Sequence, residues 1–355
     1  RLLPMGEAHA GQTAALAGLS ARPGERIGDG FGLEAPETVP LMSVQVEPTA
    51  PLTQSALLAH LREMEEEDPL LSVRPETDGV SVGVMGAVQV EVLQGILAAR
   101  FGDVVRMCPP HVLYKETIAA PAVGIGHYEP LRHYAEVWLK LEPGAPGSGI
   151  SFAADCPPNS LDENWQRLIR THVFERAHPG VLTGSPLCDV RIRLIAGRAH
   201  LKHTEGGDFR EATCRAIRNA LMQAENVLLE PVVRFELAMP NEALARVTGE
   251  LLRIGAQLDA SETDGGETTL TGRCTAAMFW DYPTRFAAST RGHGRIASRF
   301  DRYEPCKNQD DIVRQSGYDP LADTLNPPGS VFCSHGAGFY VAWDHVREWA
   351  HCEVE

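Results

Sequence analysis

The chain has 355 residues, of which 43% are hydrophobic, and it carries a formal net charge of −15. No apolar run approaches the roughly 18 residues of a membrane-spanning helix, and no signal peptide precedes the first predicted domain. The eight cysteines lie far apart without any Cys-x-x-Cys pair, which is typical of reduced thiols rather than of a disulfide framework or a zinc site. These features predict a cytoplasmic globular protein of roughly two to four domains.

Two segments show the same predicted order, strand-helix-strand-strand-helix-strand. In the first, Leu57, Leu61 and Met64 share one face of a helix that Pro69 stops. Its elements are predicted at 42–46, 54–67, 71–74, 80–85, 88–101 and 104–107, with Val92, Leu93, Ile96 and Leu97 at helical spacing. The elements of the second segment are predicted at 232–237, 241–254, 256–258, 268–274, 277–289 and 295–300. This order predicts two ferredoxin-like domains.

The region between these segments combines a strand and a helix around a glycine-bearing loop. Apolar residues at 190, 192, 194 and 196 alternate with Arg191, Arg193 and Ile195, as in a strand with one buried face, and a helical repeat begins at Phe209. The loop 199–207 is therefore predicted to protrude, and its glycines Gly206 and Gly207 permit positive φ and close approach to a phosphate or base. Asp208 and Glu211 fit a capping box, which predicts Asp208 as the structural N-cap of the helix.

The last fifty residues continue beyond the second ferredoxin-like segment. Residues 305–328 are polar, contain prolines and are weakly periodic, which predicts a connector. A strand at 331–333, a turn at Gly336 and Gly338, and a short helix with Trp343, Val346 and Trp349 on its apolar side are predicted to follow.

Positive charge is concentrated in the middle region. Residues 191–218 hold seven Arg or Lys and three acids in a chain that is acidic overall, which indicates a surface for a polyanion. His200 and His203, with Glu205, Asp208 and Cys188 nearby, suggest a metal-dependent enzyme as another reading. Their spacing is not the helical i, i+4 arrangement of a metal pair, so no metal site is predicted. The sequence contains no phosphate-binding loop and no recognisable nucleophile motif, so no catalytic residue is predicted.

Several of these segments resemble the carboxy-terminal domains of the elongation factor G family of translational GTPases. The motifs that carry the resemblance are GVLTGSPLCDVRIRL and VLLEP in the middle region, and EEEDPLL, VMGAVQVEVL, VLYKETI and TRGHGR in the flanking segments. The loop sequence HLKHTEGGDFR is most similar to the branch of tetracycline-resistance ribosomal protection proteins. The segment GQTAALAGLSARPGERIGD resembles the last strands of the β-barrel second domain of these GTPases.

The resemblance implies an α+β chain in which two ferredoxin-like βαββαβ domains flank a ribosomal-protein-S5-like α+β domain, after a β-barrel remnant. The implied boundaries are 1–40 for the end of domain II, 41–118 for domain III, 119–229 for domain IV, 230–304 for domain V and 305–355 for a C-terminal extension. GTP and Mg²⁺ would be bound by a GTPase domain of the full-length protein upstream of Arg1, so no cofactor is expected in this chain.

The resemblance also implies a function in which domain IV reaches the decoding centre of the ribosome, as in translocation or in ribosomal protection against tetracycline. The partners would be rRNA of the decoding centre and of the large subunit, with no membrane, and the protein would act as a monomer. The residues expected to bind are His200, Lys202, His203, Thr204, Glu205, Gly206, Gly207, Arg210, Arg291 and Arg295. A free-standing RNA-binding or adaptor protein without GTPase activity remains the alternative.

Overall fold

The computed structural model describes residues 5–15, 18, 40–76 and 79–352. The chain divides into two compact units, residues 1–111 and 112–355. Most of the predicted β-barrel remnant at 1–40 lies outside the described residues. Residues 5–15 contain one turn, in which the Gln12 N–H donates to the His9 carbonyl oxygen. Among the helices of the described ranges, none combines the length and the hydropathy of a membrane span.

The first unit has a four-stranded antiparallel sheet with two helices, in the ferredoxin-like order that the sequence predicts. The strands run in the spatial order β2-β3-β1-β4. Their bounds are β1 Met42–Pro48, β2 Arg74–Pro75, β3 Val80–Val84 and β4 Val105–Val112, and the helices are α1 Gln54–Glu67 and α2 Ala87–Ile96, the latter continued by a π-helical turn over Leu97–Phe101.

The helix α1 begins and ends where the sequence predicts. Thr53 accepts a hydrogen bond from the Ala56 N–H at its N-terminus, and Leu57, Leu61 and Met64 are buried. Two other details of this unit differ from the prediction, which placed a strand at 71–74 and four apolar residues of α2 on its buried face. The chain forms a 3₁₀ turn over Pro69–Leu71 before the short β2, because proline starts a tight turn readily.

The helix α2 buries only part of its predicted apolar face. Leu93 and Leu97 are buried, whereas Val92 is 53% exposed and Ile96 is 39% exposed. Residues at positions i and i+4 lie along one line of a helix, and the second line of apolar residues faces away from the sheet of this unit. The periodicity therefore identified the helix correctly but overestimated the width of its buried face.

The second unit contains a six-stranded sheet in the order β15-β14-β6-β7-β9-β8. The first two of these strands, β15 (Ala337–Val341) and β14 (Ser330–Ser334), come from the C-terminal end of the chain. Two helices pack on it, and their apolar side chains with those of β7 and β9 form the main core. The elements that precede the second sheet are β5 Lys115–Ile118, β6 Ala122–Tyr128, β7 Ala135–Pro143, β8 Ile150–Ala154, α3 Glu163–Phe174, β9 Val190–Ala199 and α4 Gly206–Gln223. The helix α4 lies close to β6 because Gly124 and Gly126 have no side chain there, and an added Cβ would overlap the α4 backbone.

A second sheet of the same unit has the predicted ferredoxin-like order, β11-β12-β10-β13. The long strand β10 serves both parts of the unit, since its first residues pair with β5 and the remainder pairs with β12 and β13. The elements are β10 Asn226–Pro240, α5 Leu244–Arg253, β11 Gln257–Asp264, β12 Glu267–Thr275, α6 Ala276–Phe279, α7 Tyr282–Ser289 and β13 Arg295–Pro305, with a 3₁₀ turn over Asn241–Ala243. The α+β class with ferredoxin-like domains is thus confirmed.

The C-terminal segment, residues 306–352, returns to the six-stranded sheet. It forms α8 Gln309–Ser316, β14 Ser330–Ser334, β15 Ala337–Val341 and α9 Val346–Trp349. The strand β14 runs parallel to β6, with Val331 opposite Tyr128. The predicted strand and short helix are confirmed, and the connector predicted over 305–328 contains one helix, α8, that the sequence did not predict. The short α8 escaped detection because none of its residues is buried, so it has no apolar periodicity.

A buried carboxylate organises the start of the second unit. Glu116 in β5 is fully buried. Its oxygens accept hydrogen bonds from the N–H groups of Leu182 (2.8 Å), Thr183 (2.9 Å) and Ser185 (3.1 Å), and from the Thr183 hydroxyl (3.0 Å). A side chain on Gly180 would overlap this carboxylate. The segment 180–185 therefore folds around Glu116, which joins two parts of the chain that are far apart in sequence.

Replacing Glu116 with Gln should lower the free energy of unfolding of the second unit by about 3 kcal/mol, since an amide NH₂ would face N–H donors that the carboxylate satisfies. Chemical denaturation followed by far-UV circular dichroism measures this change. The exposed Glu163→Gln variant is the control and should stay within about 0.5 kcal/mol of the wild type. Equal effects of the two substitutions would contradict the role given to Glu116.

Candidate functional site

Two loops meet at one edge of the six-stranded sheet. The strands β6 and β9 are both antiparallel to β7, so they run in the same direction and end at the same edge. The loop 129–134 connects β6 to β7, and the loop 200–205 connects β9 to α4. We call these two loops the tip. The sequence predicted the second loop but missed the first, whose signal was limited to a proline followed by Arg132 and His133.

The loop 200–205 is closed by hydrogen bonds of its own. The N–H groups of His203 and Thr204 donate to the His200 carbonyl oxygen at 3.2 and 3.0 Å. The His200 N–H donates to the Thr204 hydroxyl oxygen at 2.7 Å, and that hydroxyl donates to the Tyr134 carbonyl oxygen at 2.6 Å. Thr204, which was expected to bind RNA, is thus used within the tip and connects its two loops.

The carboxylate of Asp208 connects the two loops a second time. Asp208 is 2% exposed, and its oxygens contact the His133 Nδ1 at 2.8 Å and accept the Glu205 N–H at 2.9 Å. The latter bond belongs to a capping box in which Glu205 is the N-cap and Asp208 is the third helical residue. The prediction of Asp208 as the N-cap is therefore wrong by three residues, although its structural role is right.

The two glycines explain this shift of the helix start. Gly206 and Gly207 are the first two residues of α4, and they adopt helical rather than positive φ. Glycine is a poor helix former, so the sequence pattern placed the start at Phe209, where the apolar repeat begins. Neither glycine is packed tightly, because an added Cβ on Gly206 would be 3.7 Å from Leu168 and one on Gly207 would contact nothing within 4 Å.

Seven side chains of the tip face solvent, those of Leu131, Arg132, His200, Leu201, Lys202, His203 and Glu205. Leu201 is wholly exposed and Leu131 is 63% exposed, while Lys202 and His203 lie beside Leu201 in the same turn. The rings of His200 and His203 stack with centroids 4.4 Å apart. The end of the sheet therefore presents apolar, imidazole and ammonium groups on a loop whose backbone is fixed.

A basic cleft lies next to these side chains. Its lining includes Arg198, His200, Lys202, Tyr134 and His351. Burial and the neighbouring His127 lower the pKa of His351. The Arg198 guanidinium donates to the His351 carbonyl oxygen at 3.4 Å, so the C-terminal segment contributes one wall of the cleft.

The remaining arginines of the basic region have other partners. Arg210 pairs with Glu175 at 2.9 Å, and Arg193 pairs with Asp155 and Glu142. Arg215 and Arg218 are buried under the C-terminal segment. The basic strip is therefore not one continuous face. Three cations of the strip are exposed and form no ion pair with another described residue, namely Arg191, Arg198 and Lys202.

Two predicted binding residues belong to the other sheet of this unit. Arg291 follows α7 with a φ of +53°, and Arg295 starts β13. Arg295 is exposed and pairs with Glu267 at 2.7 Å. The structure therefore groups His200, Lys202, His203, Thr204, Glu205, Gly206 and Gly207 at the tip and places Arg210 one turn into α4, while Arg291 and Arg295 form no part of this group.

A buried polar cluster around Glu136 lies next to the tip. Glu136 in β7 is fully buried, and its oxygens contact the His127 Nδ1 at 2.7 Å and accept hydrogen bonds from the Trp138 Nε1–H (2.8 Å) and from the backbone N–H groups of His351 (2.8 Å) and Cys352 (2.7 Å). These contacts hold the end of the C-terminal segment beside the tip.

The same cluster contains the side chains best placed to hold a metal ion. Among the described residues, His127, Glu136 and His351 are the group whose possible ligand atoms lie within 4.8 Å of one another. Glu136 is already saturated by protein donors, and the second nitrogen of His127 contacts Glu129 at 3.1 Å. The cluster is therefore complete as a hydrogen-bonded network. His200 and His203, the pair considered from the sequence, stack on each other and form no group of this kind.

Comparisons with known proteins identify two of these regions. Residues 110–225 match elongation factor G, domain IV, and residues 227–312 match the elongation factor G C-terminus. Among solved structures, the chain is similar to the protein ttk003000868 from Thermus thermophilus, with a TM-score of 0.65 and 25% sequence identity. The similarity covers 81% of this chain and 45% of that one, so the chain spans less than half the length of that protein.

Residues 110–312 are therefore built from domains of the translation-factor class. Within that class, the chain carries domain IV and the C-terminal domain of the elongation factor G family. The tip described above lies within the domain IV match.

The Glu136 network makes a pH-dependent contribution to stability. Burial alone would raise the pKa of Glu136, but the hydrogen bonds from His127, the His351 N–H and Trp138 outweigh it and lower the pKa to about 2. A carboxyl group whose pKa is lowered by folding stabilises the fold at pH values above its ordinary pKa of 4.5. This stabilisation is lost as the pH falls from 4.5 towards 2.

Glu136→Gln should therefore lower the free energy of unfolding on the order of 3 kcal/mol at pH 7, and the difference from the wild type should shrink below pH 4.5. Denaturant unfolding at pH 7, 5 and 3 measures this difference. The exposed Glu225→Gln variant should match the wild type at each pH. A Glu136→Gln penalty that does not vary with pH would contradict this account.

Proposed function

We propose that this chain is the ribosome-binding C-terminal portion of an elongation-factor-G-like translation factor, and that the tip enters the decoding centre. The observation that carries the proposal is the fixed geometry of the tip. Buried Asp208 and the Thr204 hydroxyl tie its two loops together, so that Leu201, Lys202 and His203 project from a rigid end of the sheet. A rigid, projecting group of this kind suits insertion into a narrow RNA site.

The distribution of charge supports RNA as the partner. The chain has a net charge of −15, so long-range attraction to RNA is not expected. The cleft beside the tip is lined by Arg198 and Lys202 with two histidines, and these groups can contact phosphates at short range. The exposed, stacked rings of His200 and His203 offer flat surfaces on which bases can stack.

The finer assignment within the family follows from the loop sequence. HLKHTEGGDFR resembles the tetracycline-resistance ribosomal protection branch, so we propose that the intact protein protects ribosomes from tetracycline. A GTPase domain of the full-length protein would bind GTP and Mg²⁺ and drive binding and release. Growth of a sensitive host that expresses the full-length gene, measured across tetracycline concentrations, tests this assignment separately from ribosome binding.

Replacing both Lys202 and His203 with Ala in the full-length protein should weaken binding to ribosomes about tenfold without changing folding, because the side chains are exposed and make no structural hydrogen bonds. Each lost phosphate contact should also flatten the log–log dependence of affinity on salt by about 0.7 to 0.9. Cosedimentation with ribosomes between 50 and 200 mM salt, a range of about fourfold, gives both quantities.

The matched control replaces Lys307, an exposed cation of the C-terminal segment, and His111, an exposed histidine of β4, with Ala. It removes a similar charge and should leave ribosome binding unchanged. If the control weakens binding as much as the tip variant, net charge rather than the tip determines affinity. If neither variant changes binding, the tip is not the principal contact.

A further inference from the structure

A second concave site lies beside the middle of α4, away from the exposed loop of the tip. Its walls come from α4, from the residues that follow α3 and from the part of the C-terminal segment before β14. The side chains that matter here are those of Arg176, Arg210, Arg215, Arg218 and Asn326. The cavity volume is about 80 Å³. A single water needs about 10–15 Å³ by this measure, so the cavity has room for several waters or one small anion.

The charge of the lining is strongly positive. It contains four arginines, and Glu211 is the one carboxylate that the described residues contribute to it. Glu211 pairs with the Arg215 guanidinium at 3.4 Å. Within the lining, a single carboxylate therefore opposes four guanidinium groups.

Two further carboxylates lie outside the lining. Glu175 pairs with Arg210 at 2.9 Å, and Asp323 lies 3.8 Å from the Arg218 guanidinium. The second distance is too long for a hydrogen bond, and the terminal nitrogens of Arg218 donate to other acceptors instead. With both carboxylates included, the arginines of the cavity still exceed the acids around them by one.

The two buried arginines of this cavity are incompletely satisfied. Arg215 is 9% exposed and Arg218 is 3% exposed. Their terminal nitrogens donate to the Gly329 carbonyl oxygen at 2.8 Å and to the Gly180 carbonyl oxygen at 2.7 Å, respectively. The Nε–H of each has no hydrogen-bond partner in the described part of the chain. A buried N–H on a cation is unfavourable without an acceptor, so the surroundings of both arginines leave part of their hydrogen-bonding capacity unused.

A purely structural role accounts for only part of this arrangement. The bonds to Gly329 and Gly180, with a bond from Arg218 to the Tyr318 hydroxyl, explain how the two buried arginines hold the C-terminal segment. They explain neither the open Nε–H groups nor the exposed Arg176, which contacts the neutral side chain of Asn326 and forms no ion pair among the described residues.

We infer that this cavity binds a small tetrahedral oxyanion of the phosphate class. Guanidinium groups present planar pairs of N–H donors that match the oxygens of such an anion. Four of them converge at this cavity, and they outnumber the carboxylates around them. The anion would bind beside Arg176 and Arg210, with the buried Arg215 and Arg218 in the wall of the same cavity. It can be a free phosphate or a phosphate group of an RNA backbone. The inference does not depend on ribosome binding by the tip.

The test uses the 355-residue chain with inorganic phosphate, with sodium chloride at equal ionic strength, and with a single-stranded RNA of about 12 nucleotides, within the usual range of site sizes. Thermal unfolding reports binding, because a ligand that binds only the folded state raises the melting temperature in a saturable way. Arg176→Gln is the informative variant, since this exposed side chain can be changed without removing the bonds that hold the C-terminal segment. It should weaken anion binding about tenfold. Arg314→Gln, which removes an exposed arginine of α8, is the matched control.

A site for a free oxyanion is supported if phosphate, but not chloride, stabilises the protein in a saturable way. Arg176→Gln should weaken this stabilisation, and Arg314→Gln should leave it unaffected. The same dependence on Arg176 seen with RNA alone supports a site for a backbone phosphate. If neither probe stabilises the protein more than chloride does, or if the two variants behave alike, the inference is wrong. Far-UV circular dichroism of both variants shows that they are folded.

Discussion

Domain IV of this chain is organised by carboxylates that lie inside the protein and are satisfied mainly by backbone N–H groups. Burying a carboxylate is costly unless its oxygens accept several hydrogen bonds. Glu116 meets this condition with the segment 180–185, and Asp189 does so with the N–H groups of Gly147 and Gly149 at 2.9 and 2.8 Å. Each carboxylate fixes the path of a loop that has little apolar surface of its own. Side-chain hydrogen bonding thus replaces hydrophobic packing where the chain turns.

This constraint also gives the motifs of the sequence a physical meaning. VLYKETI and GVLTGSPLCDV resemble the family in separate parts of the chain, and the structure shows that they form one unit. Glu116 of the first motif accepts the N–H groups of the second, and Gly180 leaves the space that the carboxylate needs. At the tip, Asp208 acts in the same way on the loops 129–134 and 200–205. The exposed residues of the tip are therefore held by a residue that is almost fully buried.

The sequence predicted those features that depend on local periodicity. Both ferredoxin-like domains were recognised because the spacing of apolar residues follows the period of each half-buried strand and amphipathic helix. The errors occur where the structure is determined by something other than local apolar periodicity. The start of α4 was placed at Phe209, with Asp208 as its N-cap, because Gly206 and Gly207 give no helical signal, and α8 was missed because it buries no side chain. Loop 129–134 was overlooked because its position beside the second loop depends on strand order, which periodicity does not contain.

The arginines show most clearly what a single sequence cannot separate. The pattern around α4 predicted one basic strip, but a count of charges does not tell whether a guanidinium faces solvent or a carbonyl oxygen. Arg215 and Arg218 are buried against the C-terminal segment, a contact between residues far apart in the sequence. The exposed cations left at the tip are Arg132 and Lys202, with Arg198 in the adjoining cleft. In a chain of net charge −15, such a small group of cations acts over about one Debye length, so the shape of the tip determines which surface of the proposed RNA partner these charges would meet.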